Sequence, residues 1–180
     1  MLKKILVASA AVIILFFIVV ATRPANYSVT RSTTIIAPAE VVFAQVNNLH
    51  NWDAWSPWAE LDPDMKQDYE GPEAGVGAVY SWEGNGDVGK GRMTIIESAP
   101  DELVGIKLEF FKPMSSTCTT EFAFAPDGDR TSVTWTMSGT NNFAGKAFSL
   151  FMNMDKLVGG DFEKGLTKMK ATSEALAGHQ

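Results

Sequence analysis

Leu103-Val104-Gly105-Ile106-Lys107-Leu108-Glu109-Phe110-Phe111-Lys112 is the stretch that decides the fold. Successive side chains of an extended chain point to opposite faces. Val104, Ile106, Leu108 and Phe110 therefore share one side, and Gly105, Lys107, Glu109 and Phe111 the other. Such alternation predicts an antiparallel sheet packed on one face and wetted on the other. Residues 116–125 repeat it, with Cys118, Thr120, Phe122 and Phe124 set against Thr117, Thr119, Glu121 and Ala123. Residues 130–139 do so again, with Val133, Trp135 and Met137 set against Ser132, Thr134 and Thr136. Towards the N-terminus, residues 88–98 place Met93 and Ile95 opposite Arg92, Thr94 and Ile96, and residues 76–83 align Ala78, Tyr80 and Trp82. Residues 65–69 form a further short strand, broken by Gly71-Pro72.

Helical spacing brackets this run of strands. Residues 26–36, rich in Val, Thr and Ile, predict a first strand. Pro38 then opens a short helix over residues 40–47, carrying Val41, Val42, Phe43 and Val46. Residues 47–51 form a turn. Trp52, Trp55 and Trp58 recur at intervals of three, which stacks them on one side of a second short helix despite Pro57. All eight prolines lie at or before Pro126, so residues 143–176 are free to be helical. Met154, Val158, Phe162, Leu166 and Met169 give that helix an apolar stripe, and Gly159-Gly160 is the expected kink or break in it. The order is strand, two short helices, six strands, long helix. It predicts an α+β domain in which a curved seven-stranded antiparallel sheet wraps round the C-terminal helix and leaves a cavity between them.

The N-terminus is different in kind. Residues 5–22 carry no charge, and twelve of the 18 are Ile, Leu, Val or Phe. On the insertion scale these supply about 5 kcal/mol towards membrane residence. A helix of this length spans about 27 Å, close to the hydrocarbon thickness. The segment is read as an uncleaved signal-anchor helix. Cleavage after Val19-Val20-Ala21 is the alternative, which would leave a secreted or periplasmic domain. Lys3 and Lys4 favour a cytoplasmic N-terminus and a domain on the extracytoplasmic side of the inner membrane, although Arg23 and Arg31 weaken that bias. The organisation is thus a tail at 1–4, an anchor at 5–22, a linker at 23–26 and a folded domain over 27–177.

Charge narrows the partners. Lys3, Lys4 and Arg23 are three of the 15 basic residues, so residues 24–180 carry 12 bases against 21 acids, a net charge of −9. That balance speaks against nucleic acid as a partner. A single cysteine, Cys118, excludes an intramolecular disulfide and a Cys-rich zinc site. It shares a strand face with Phe122, as a buried thiol does; a nucleophilic role is the lesser alternative. Gly84-Asn85-Gly86-Asp87-Val88-Gly89 has the glycine spacing of a dinucleotide loop, but a strand rather than a helix follows, so a hairpin turn is expected. Asp62, Asp64 and Asp68, with Glu73 at the twelfth position, invite a calcium loop. Lys66 at the fifth position and Gln67 where glycine belongs at the sixth favour a solvated acidic loop instead. His50 and His179 lie far apart without a metal-ligand spacing. No catalytic constellation, metal site or cofactor is expected.

Several stretches carry a family likeness: Ala37-Pro38-Ala39-Glu40-Val41-Val42-Phe43, Trp52-Asp53-Ala54-Trp55-Ser56-Pro57-Trp58, Tyr69-Glu70-Gly71-Pro72, Gly75-Val76-Gly77, Gly91-Arg92-Met93-Thr94-Ile95, Val133-Thr134-Trp135 and Gly165-Leu166. With the element order, they make residues 27–176 resemble the START-like, helix-grip (SRPBCC) superfamily, which includes Bet v 1-type proteins and polyketide cyclase/dehydrase-like domains. The resemblance implies a helix-grip fold and a pocket for a hydrophobic ligand. It leaves function open, because one fold hosts carriers, receptors and enzymes.

The expected cavity lining is Tyr80, Trp82, Met93, Ile95, Ile106, Leu108, Phe110, Thr120, Phe122, Trp135, Met137, Met154, Val158 and Phe162. Met93, Met137, Met154 and Met169 would make it adaptable in shape. Thr120 and Tyr80 are candidates to orient a ligand, and Glu97, if it faces inward, is an acid/base candidate. The leading expectation is a membrane-tethered binding module for a hydrophobic small molecule or lipid. A polyketide cyclase/aromatase-like enzyme is one alternative. The other is an interaction domain without ligand, which a structure with no pocket above about 300 Å³ would favour.

Overall fold

A computed structural model describes residues 1–178; His179 lies outside the described residues. Helix α1, Leu2–Thr22, precedes strand β1, Asn26–Ile35. Helix α2, Ala39–Asn47, leads into a 3₁₀ turn over Leu49–Ala54. Six strands follow: β2 Lys66–Glu70, β3 Val79–Glu83, β4 Lys90–Ala99, β5 Leu103–Lys112, β6 Ser116–Asp127 and β7 Arg130–Thr140. Helices α3, Phe143–Phe148, and α4, Met154–Ala177, close the chain. The sheet order is β1-β7-β6-β5-β4-β3-β2, antiparallel throughout. This is the expected seven-stranded sheet, two short helical elements and C-terminal helix.

The period-two alternation sets which side chains are buried. Val104 and Ile106 are buried while Lys107 and Glu109 form an ion pair on the outer face. Met93, Ile95, Phe122, Val133, Trp135 and Met137 join them inside, and α4 contributes Phe162, Leu166 and Met169.

Helix α4 lies along β1, and polar contacts hold it there. The Arg31 guanidinium on β1 donates to Asp155 and Glu163 of α4, each at 2.7 Å. Farther along, Lys170 Nζ donates to the Thr34 carbonyl, and the Ile36 amide donates to Glu174 Oε1. Unpaired groups at the end of an edge strand thus find partners on the helix, which covers an edge that would otherwise template foreign strands.

Three local expectations are corrected. The second short helix is a 3₁₀ turn ending at Ala54, with Trp55 as its cap and Trp58 beyond it. Eclipsed i,i+3 side chains of that geometry still bring Trp52 against Trp55, ring centroids 4.4 Å apart and planes tilted by 45°. The break in the C-terminal helical region falls at residues 149–153, where Asn153 caps α4 by accepting the Asp155 amide. Gly159-Gly160 lies inside a continuous helix. The Arg31 guanidinium packs against Gly159 and would have to shift to admit a Cβ there.

The third correction concerns Glu97. A bulge between Ile95 and Glu97 shifts the β4–β5 register, so Glu97 pairs with Gly105 on the outer face instead of continuing the inward row of Met93 and Ile95. Glu97 is exposed, and its assignment as an inward acid/base falls. The glycine-rich segment is the β3–β4 hairpin turn. The Gly84 and Gly89 amides bond back to the Gly89 and Asn85 carbonyls, and β4 follows without an intervening helix.

Candidate functional site

Between the inner sheet face and the first half of α4 is a cavity of about 190 Å³. Its sheet wall is built from cross-strand neighbours: Tyr80 of β3 opposes Met93 of β4, which opposes Leu108 of β5. Trp82, Phe110, Thr120, Trp135 and Met137 extend the wall, and Val158 and Phe162 of α4 roof it. The 3₁₀ turn adds Trp52 and Asp53, the loop after it adds Ser56, Trp58, Ala59 and Met65, and the β3–β4 turn adds Asp87 and Val88.

Of the residues expected from the sequence, ten meet at this cavity: Tyr80, Trp82, Met93, Leu108, Phe110, Thr120, Trp135, Met137, Val158 and Phe162. Ile95, Ile106 and Phe122 do not line it. They sit fully buried where the Trp-bearing segment and α2 fill the space above the sheet. Phe122, for instance, meets Trp52 and Trp55 edge-on at 5.7 and 5.9 Å. Met154 packs half-buried against the core at the start of α4, outside the lining, and Met169 lies in the core farther along that helix. The residues missed are those of the loop and the turn, which have no periodicity to project. The Trp52, Trp55, Trp58 spacing was the available signal, since Trp52 and Trp58 both reach the cavity.

Aromatic stacking makes one side of the cavity rigid. Trp135 lies parallel to Phe162 at 3.9 Å and 6°, with Phe122 stacked at 4.7 Å. Trp58 meets Trp135 edge-on at 6.1 Å. On the other side Tyr80 is stacked with Trp82 at 5.8 Å and lies 5.0 Å from Tyr69.

Four polar side chains of this wall, Trp52, Trp82, Thr120 and Trp135, already have partners. The indole N–H of Trp135 donates to Thr120 Oγ1 at 2.7 Å, and that hydroxyl donates to the Thr136 carbonyl at 3.2 Å. The N–H groups of Trp52 and Trp82 donate to the Val46 and Val88 carbonyls. Thr120 therefore has no proton left to offer a ligand. Among the described residues, the one buried side-chain polar atom without a partner is Ser173 Oγ, which is not in the cavity wall. Where its hydrogen bonds are satisfied in this way, the wall can take an apolar guest without stranding a polar group.

Titratable groups fit the same picture. Burial, then the neighbouring Tyr69 and Asp53, push the Tyr80 phenol well above its ordinary range, so it is protonated at neutral pH. Burial pushes the Cys118 thiol up to about 11, against a smaller opposing effect of its hydrogen bond with Tyr27. That thiol is a packed core group, and a nucleophile would need the reverse shift. The acidic loop is used for turns: Asp62 accepts the amides of Asp64 and Asn85. Among the described residues no group of three or more His, Cys, Asp or Glu is placed to hold a metal ion. His50 stacks on Tyr69 at 3.9 Å instead.

Residues 27–174 match the family described as "Polyketide cyclase / dehydrase and lipid transport". The chain belongs to that family. Its resemblance to the SRPBCC superfamily, read from the sequence, is thereby borne out. This polyketide cyclase/dehydrase-type domain also matches solved structures along most of its length. A Chromobacterium violaceum protein superposes with a TM-score of 0.60 at 14% identity, covering 82% of this chain and 96% of that one. The Aha1 dimer from Colwellia psychrerythraea gives 0.58 at 15%, covering 82% and 96%. The di-domain ARO/CYC StfQ from the steffimycin biosynthetic pathway gives 0.61 at 11%, covering 86% of this chain and 52% of that one. At these identities the likeness is one of fold. No curated protein matches the sequence.

Helix α1 is the one described helix long and apolar enough to cross a membrane, and its length and composition suit an anchor or a signal sequence equally.

Proposed function

We propose that this family member binds a neutral hydrophobic small molecule, or part of a lipid, in the cavity between sheet and α4, and that α1 tethers the domain, residues 27–177, to a membrane. The observation that carries the reading is the wall itself: aromatic, methionine and aliphatic side chains predominate, and the indole N–H groups of Trp52, Trp82 and Trp135 already have partners. Such a surface rewards burial of apolar area, and its two carboxylates, Asp53 and Asp87, repel an anionic ligand. The methionines Met65, Met93 and Met137 supply unbranched side chains that can adjust to more than one shape. Inner-membrane residence with the domain on the extracytoplasmic side follows from Lys3 and Lys4 as the proposed topology.

The volume favours a second reading. About 190 Å³ is below the range of about 300–1,000 Å³ typical of sites for drug-sized ligands. It holds about six waters' worth of liquid volume. A small guest or one end of a chain fits, and a larger guest requires Trp58, Val158 or the adjoining loop to yield. An interaction domain with no ligand is the reading if neither occurs.

The test uses the full-length chain, solubilised, stripped of lipid and offered a panel of neutral lipids, quinones and polyketide-like aromatics, with the bound compound measured by native mass spectrometry. Met137→Trp fills the cavity. Wild type is expected to retain a compound that the filled variant loses. Equal retention would remove the cavity as the site, and no retention by either protein would select the interaction domain.

A further inference from the structure

The end of the domain that holds the cavity is also the end that meets α1. Asn26 of β1 pairs with Thr140 of β7, and the Asn141 amide donates to the Ala25 carbonyl at 2.7 Å. Helix α3 therefore starts where α1 has just ended. Val20 of α1 is fully buried, and Phe17 stacks on Phe143 of α3 at 5.6 Å and 21°.

That stacking sets a depth. Phe17 precedes Thr22, the last residue of α1, by five positions, which is about 7.5 Å along a helix axis at 1.5 Å per residue. If the end of α1 marks the membrane surface, Phe143 lies about 7 Å beneath it. This is within the 5–10 Å at which interfacial helices bury their apolar faces.

The segment is suited in composition to that position. Phe143, Phe148, Phe151 and Met152 are exposed, Phe151 by 81%. Residues 141–153 contain Lys146 and no acid, in a chain whose residues 24–180 carry −9. The far end of the sheet is the opposite case, with Asp101 and Glu102 in one hairpin and Asp127 and Asp129 in another.

We propose that residues 143–152, α3 and its connection to α4, are a membrane-inserted surface that presents the cavity end of the domain to the bilayer. The occupant of the exposed apolar surface is the lipid around α1, so a cavity guest would be drawn from the bilayer. This rests on the reading of α1 as a spanning helix, and it holds for either orientation of that helix. The apolar segment continues into α4 at Met154 and reaches the cavity roof one turn later at Val158.

The experiment places one environment-sensitive nitrobenzoxadiazole dye at a time on Phe151→Cys, Val12→Cys and Asp129→Cys in the full-length chain. The protein is reconstituted in phosphatidylcholine–phosphatidylglycerol vesicles with and without brominated acyl chains. Dye uptake by the parent chain, whose Cys118 is buried, sets the background. Residues 151 and 129 are exposed, so neither substitution removes packing. The inference expects brominated lipid to quench the residue 151 dye at least about twofold, as at residue 12, and to leave the residue 129 dye unchanged. Quenching at residue 12 with a water-like residue 151 would overturn the inference while keeping the anchor. A residue 12 dye that is not quenched would overturn the anchor and the inference with it.

Discussion

The two ends of the inner sheet face have the same alternation but different fates. At one end Val104, Ile106, Phe122 and Val133 are fully buried, and the chain outside the sheet supplies Val42, Val46, Leu49 and Trp55 to cover them. At the other, Tyr80, Met93, Leu108 and Met137 face about 190 Å³ of unfilled space under α4. Strand periodicity is equal at the two ends, so the difference arises in the covering elements. Two indole rings at 4.4 Å plug one end. The roof of the other is one side of a helix, with Val158 and Phe162 projecting into it. The cavity is thus a matter of what the loops and helices do not fill.

The strongest way to break this comparison is to remove the plug. Trp55 is fully buried and its N–H donates to the Gln45 carbonyl at 3.0 Å. Trp55→Ala leaves a void in a region with no slack and strands that carbonyl. It is expected to destabilise the domain by about 3–5 kcal/mol, measured by denaturant unfolding of the solubilised chain. Met93→Ala truncates a buried side chain beside existing space, so less close packing is lost. About 2 kcal/mol, the low end for such a truncation, is expected by the same measurement. Equal losses at the two sites would mean that the cavity closes in solution.

These two residues also show what could be read in advance. Met93 was legible because alternation assigns a strand residue its face, and the same logic gave Tyr80, Leu108, Thr120 and Met137. Trp52 and Trp58 were visible as a spacing but not as cavity wall, because a loop has no period from which to project a direction. Asp53, Asp87 and Val88 were missed for that reason. The side of Glu97 stayed open because a one-residue bulge in the β4–β5 hairpin decides it, and strand alternation carries no sign of a bulge. Gly159 was misread as a break because a glycine in a helix signals weakness only until a neighbour needs its space. That neighbour, Arg31, is 128 positions earlier in the chain.

The seam between β1 and α4 sharpens the comparison from the roof side, because it fixes the first half of α4 over the cavity. Hydrogen bonds from Arg31 hold the Asp155 carboxyl below its usual range. A group whose folded value is depressed stabilises above its unfolded value, near pH 4, and loses that contribution as pH falls through the folded value. Arg31→Met should therefore lower the midpoint of thermal unfolding at pH 7 and flatten its fall below about pH 4. Glu83, drawn down to about 2 by Lys90 and Lys112, supplies a slope in the same acid range that the substitution leaves in place. These groups are exposed, so the change is expected to be well below that of either core truncation. An unchanged pH profile would show that the seam does not hold the helix.

The smallest effect is expected at the packed end of α4. Ser173 is fully buried and its hydroxyl has no hydrogen-bond partner. A buried hydroxyl in this state has lost its hydration without replacement, which costs about 1–3 kcal/mol. Ser173→Ala removes the oxygen, improves helix propensity and leaves a void smaller than a methyl group. The variant should be as stable as the parent or more so, by up to about 1 kcal/mol in the same unfolding measurement. A clear loss of stability would mean that the hydroxyl is satisfied in solution, by an internal water or a shift of α4 towards α2. The packed end would then hold more room than its side chains suggest, and the contrast with the hollow end would narrow.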